Sequence, residues 1–71
     1  MTLGLTILGL LARYLPLAIQ VVQAGLASFE AVHAVASGIQ ASAATPTEQD
    51  RAAAEAEIAK LEALLDANPA S

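Results

Sequence analysis

The chain has 71 residues, 56% of them hydrophobic and 18 of them alanine, which suffices for one small domain. It contains no cysteine, no tryptophan and a single histidine, His33, which excludes a disulfide framework and a cysteine zinc site. Three basic residues against seven acidic ones give a net charge of −4, which argues against a nucleic-acid partner, and a chain this short cannot wall a catalytic cleft beside a core of its own.

Residues 1–44 carry only Arg13 and Glu30 as charges, and from Leu3 to Ala36 nearly every residue is apolar or small. The polar exceptions recur with helical spacing. Thr6, Arg13 and Gln20 lie seven apart, as do Gln23, Glu30 and Ser37, and the second series begins three residues after the first ends. Seven residues are close to two turns, so both series mark one side of a helix, which His33 joins. The spacing predicts a long helix over 3–36 with a thin polar stripe and a very wide apolar surface. Pro16 is the expected irregularity, either kinking this helix or separating a short Leu3–Tyr14 helix from a longer one.

A surface helix of a soluble domain shows about a third of its circumference as apolar, and this one exceeds half. Leu8, Leu11, Leu15, Val22, Leu26 and Phe29 are therefore expected to pack in an oligomer or a membrane. Replacing Leu26 or Val22 with Asp should disrupt that packing. Ala24, Ala27, Ala31 and Ala34 form a row of small residues of the kind that lets helices approach closely. Arg13, Gln20, Gln23 and Glu30 are the expected polar contacts between helices. Arg13 either pairs with Glu30 of a neighbouring copy or extends to water or lipid phosphate.

The small residues of 38–45, just before Pro46, read as a linker or bend. The expected organisation is thus an apolar helix in 1–37, a linker in 38–45 and an acidic amphipathic helix with a short tail in 46–71. Thr45 can cap this last helix, Pro46 suits its first position, and Glu48 completes a capping box. Asn68-Pro69 supplies a stop, which predicts a helix from Pro46 to about Ala67. The whole net charge falls here, and Arg51–Glu55 and Glu57–Lys60 have the spacing of helical ion pairs. Ala54, Ile58, Leu61 and Leu65, with Leu64 on the flank, form a narrow coiled-coil-like seam. Three large side chains do not hold a helix of this length in water, so the seam needs the first half of the chain or a second copy.

A membrane span needs about 20 apolar residues. Leu5 to Ala24 has that length, but Arg13 near its middle costs about 2.5–3.5 kcal/mol on insertion scales. An amphipathic helix lying in the membrane interface is disfavoured by the scarcity of Lys and Arg and the absence of Trp. Val22-Gln23-Ala24 resembles a leader-cleavage site. Met1-Thr2-Leu3-Gly4 brings no positive charge, however, and Arg13 interrupts the apolar run, so no cleaved leader is expected.

Chemistry-bearing residues are few. Glu30 and His33, three apart, are half of a di-iron carboxylate pattern, but the apolar half offers no further carboxylates, and a solvated polar pair is expected instead. With no nucleophile–base set and no glycine-rich phosphate loop, neither a catalytic residue nor a cofactor or metal site is expected.

The order of a short N-terminus, a long Leu/Ala/Val-rich helix, a small-residue linker and a charged Ala/Glu/Leu helix resembles a group of small proteins. Tailed bacteriophages and prophages of GC-rich bacteria encode them near their tail and lysis genes. The likeness is of layout and composition over the whole chain. Some of that group resemble holins, which permeabilise the bacterial inner membrane as oligomers, and others are minor virion components. The resemblance implies a structural role beside copies of itself or other particle proteins, or alternatively an oligomer in a lipid bilayer. Many holins end in a basic cluster, whereas this tail is acidic, which favours the particle. The expectation is a non-enzymatic, all-α, self-associating helix–linker–helix protein.

Overall fold

The apolar half is two helices, because Gly25 ends the first. The computed structural model describes residues 3–67, which form α1 (Leu3–Gln23), α2 (Phe29–Ser42) and α3 (Glu48–Ala67). Gly25 lies at φ +76°, the left-handed conformation in which a side chain is strained. Its N–H bonds the Val22 carbonyl at 3.0 Å and the Leu26 N–H bonds that of Val21 at 3.0 Å, the paired arrangement of a Schellman C-cap. Ser28 then opens α2 from extended backbone, its hydroxyl oxygen accepting from the Ala31 N–H at 3.1 Å. The single 3–36 helix is thus corrected to two. Pro16 causes no break; it sits inside α1 on its exposed side, where water can satisfy the carbonyl that its ring leaves unbonded. Gly25→Ala should lower the unfolding free energy by about 1–2 kcal/mol in urea titrations, the usual penalty of a Cβ in left-handed backbone. An unchanged midpoint would show that the turn does not depend on that conformation.

The second boundary also moves. α2 continues through Gly38 and Ile39 to Ser42, so most of the expected 38–45 linker is helical, and the connection is 43–47. Burial of Ile39 holds this last turn, and the Ser42 hydroxyl donates to the Ile39 carbonyl at 2.8 Å. Thr47, two residues later than expected, caps α3. Its N–H donates to Asp50 Oδ2 at 3.0 Å, and its Oγ1 accepts from the Asp50 N–H at 3.1 Å. This is a reciprocal capping box closed by Asp instead of Glu. Glu48, expected to close the box, instead accepts from Arg51 Nε at 2.8 Å, while Arg51 also reaches Glu55 at 2.7 Å. The expected Glu57–Lys60 pair does not form; among the described residues the ion pairs are those two of Arg51. The predicted Asn68-Pro69 stop lies outside the described residues.

α1 is the shared strut of the bundle: α2 and α3 both pack on it and scarcely touch each other. A Cβ on Gly4 would stand 2.9 Å from the Ala43 carbonyl oxygen, so the α2–α3 connection lies against the start of α1. Glu57 acts on Tyr14 further along. α2 therefore runs antiparallel to α1 and α3 parallel to it, in a body of 40 × 20 × 16 Å. The core takes Ile7, Leu10, Tyr14, Ala18 and Val21 from α1, Val32 and Ile39 from α2, and Ala54, Ile58 and Leu61 from α3. The α3 seam is thus covered by the chain's own first helix, with Leu64 and Leu65 half-buried at its end.

Tyr14 is among the largest fully buried side chains. Burial, and secondarily the Glu57 carboxylate, raise its pKa above the ordinary 10.0 because both disfavour the phenolate. Its contribution to stability is therefore intact below about pH 10 and lost as the pH rises through the higher folded-state value. Alkaline denaturation profiles of the wild type and Tyr14→Phe should diverge above that pH, the variant losing less stability. Parallel profiles would show that Tyr14 does not set the alkaline limit.

Candidate interaction surface

α1 carries two apolar rows, and the bundle covers one. Ile7, Leu10, Tyr14, Ala18 and Val21 point into the core, whereas Leu5, Leu8, Ala12, Leu15 and Ile19, spaced by three and four, lie along another side of the helix and are exposed. Leu5 is 69% exposed and Ile19 58%, values that mark an uncovered surface and not a loosely packed core. Phe29, the first residue of α2, is 68% exposed and widens the patch across the α1/α2 groove that it lines, and Leu26 in the turn is exposed as well. The cause is simple: α2 and α3 pack on other sides of α1, so the side chains of its second row stay exposed.

The patch includes a concavity. The connection after α2 lies against Gly4 at one end of α1, and toward the other end α1 and α2 leave an apolar groove of about 230 Å³ between them. Leu15, Ala18, Ile19 and Val22 form its α1 wall, and Phe29, Val32, His33 and Ala36 its α2 wall, with Gln23 at its edge. The His33 ring stacks on Phe29, with centroids 5.7 Å apart and planes 13° from parallel. His33 is thereby part of the groove wall, and Glu30 stands exposed in the first turn of α2. Among the described residues no three His, Asp or Glu side chains gather as metal ligands would.

Most of the expected packing residues fall on this surface: Leu8, Leu15, Leu26 and Phe29 are exposed. Leu11 and Val22 are half-buried against the core, so the fold itself uses much of their apolar surface. Leu5 and Ile19 belong to the surface too, and the alternating three-and-four spacing from residue 5 to 19 was the signal for them. Arg13, Gln20, Gln23 and Glu30 are all exposed, and their side chains join no two helices within the chain. Ile58 and Leu61 are core residues and Leu65 is partly covered, so the α3 seam is occupied and offers no second docking face.

α1 is long and apolar enough to cross a bilayer, with a mean hydropathy of 1.8 in its 18-residue window, of which only 28% is buried. No protein-family model, curated protein or solved structure matches the chain.

Proposed function

We propose that this protein is a non-enzymatic assembly component, a small helical bundle that associates with copies of itself through the outer row of α1. This is the structural role implied by the resemblance to small phage virion proteins. The observation that carries it is the uncovered row Leu5, Leu8, Leu15 and Ile19, continuous with Phe29 and the α1/α2 groove. With Phe29 included, its large side chains expose about 570 Å² per copy, taking roughly 200 Å² for each when fully exposed. That is at the upper end of the roughly 300–600 Å² of the largest patch on a typical monomer, and about three quarters of the roughly 800 Å² per partner of a standard interface. The acidic residues do not oppose this pairing. They belong mostly to α3, which packs on the Ile7–Val21 side of α1, away from the exposed row.

The second reading is a membrane-inserting oligomer, favoured by the length and hydropathy of α1. Insertion would withdraw α1 from Ile58 and Leu61 and so dismantle the core. It would also carry Arg13 to mid-span, and a net charge of −4 opposes approach to anionic lipid. Sedimentation equilibrium without detergent, followed by flotation with liposomes, separates the two. Self-association predicts a discrete oligomer that stays with the aqueous phase. Insolubility without detergent, or flotation with the lipid, would replace it with the membrane reading.

A further inference from the structure

Resting on that self-association, we infer that two copies pair antiparallel along α1, each placing its Leu5–Leu8 ridge in the α1/α2 groove of the other. The uncovered face is asymmetric along its length. Its N-terminal half carries the exposed Leu5 and Leu8, beside Gly4, against which the chain leaving α2 packs at Ala43. Its C-terminal half is concave, because it borders the groove whose α1 wall includes Leu15, Ile19 and Val22. A two-fold axis near Ala12 superposes these halves: Leu5 comes opposite Ile19 of the second copy, and Leu8 comes opposite Leu15. Each ridge then enters a groove, which is the self-complementarity that an isologous interface requires. A parallel pair would set ridge on ridge and leave both grooves open to water.

Ala12, the small member of the row, falls at the crossing point, where two helices approach most closely. The antiparallel order also opposes the two α1 dipoles and places the two acidic α3 helices on the outer sides of the pair. The occupant of the groove is thus a defined segment, the first turns of α1 of a second copy.

The chain has no cysteine, so paired cysteines can be introduced cleanly. Leu5→Cys and Ile19→Cys proteins are prepared separately, checked by sedimentation, and oxidised alone and as a mixture. The expected result is a covalent dimer in the mixture in about tenfold excess over either protein alone, because a disulfide needs the two Cα atoms within about 7 Å. Dimers of Leu5→Cys alone at comparable yield would establish the parallel pair and overturn the inference. A sedimenting oligomer that cross-links in none of the three samples would place the contact on another face, with the same consequence. A wild-type chain that sediments as a monomer would refute self-association itself, a failure distinct from that of the antiparallel geometry.

Discussion

Leu8→Asp is expected to abolish assembly while leaving each bundle folded. Leu8 is 45% exposed, and its outward side belongs to the ridge that a second copy would cover in the proposed pair. In a symmetric pair each substitution counts twice, so the lost burial amounts to about 2 kcal/mol or more per dimer. A carboxylate held against apolar side chains adds its desolvation penalty. Together these raise the dissociation constant by at least about 100-fold, since each factor of ten corresponds to 1.4 kcal/mol. Within the single bundle the new carboxylate faces water, so monomer stability should change by no more than about 0.5–1 kcal/mol. Sedimentation equilibrium reads the first effect and circular dichroism melts the second. An oligomer of unchanged affinity would remove the outer row of α1 from the interface.

The neighbouring position should behave in the opposite way. Ile7 is 0% exposed and belongs to the packed core that α1 shares with α2 and α3. Ile7→Ala leaves a cavity that two flanking helices cannot close, with an expected loss of about 2–5 kcal/mol. A small domain has a total stability of only about 5–15 kcal/mol, so the variant should melt far below the wild type. Dimerisation would fall with it, but only as a consequence of lost structure. A melting midpoint within a few degrees of the wild type would mean that Ile7 is not in the packed interior. The two adjacent residues thus separate folding from association. Val22→Asp does not, because Val22 is half-buried against the core as well as lining the groove.

The sequence displayed α3 far better than α1. In α3 a single apolar row, Ala54, Ile58 and Leu61, stands against charged neighbours, so its period is visible and its inward face is unambiguous. In α1 both rows are apolar, and periodicity cannot say which will be covered; that is decided by where α2 and α3 lie. The break after Gln23 was masked by the polar series from Thr6 to Ser37, which stays in phase across the turn. The local signals were nevertheless present: a glycine able to take positive φ, and a serine three residues later able to cap a new helix. At the start of α3, Thr45 and Thr47 each have an acid three residues on, so two capping boxes compete in the sequence. Glu48 pairs with Arg51, and the box closes on Asp50. The exposed apolar face was legible as an excess of apolar residues, but its groove depends on how α2 lies against α1, which no local pattern encodes.

Because α1 is the common support and α2 and α3 scarcely touch, the bundle has a built-in order of opening. α2 contributes only Val32 and Ile39 to the core, against the five residues of α1 and three of α3. The amides of α2 should therefore exchange with solvent deuterium through openings that leave the α1–α3 pair intact. Since α2 is one wall of the groove, a second copy seated there as proposed would close the same openings. Assembly would then be recorded as a slowing of α2 exchange that grows with protein concentration, by mass action on the closed form.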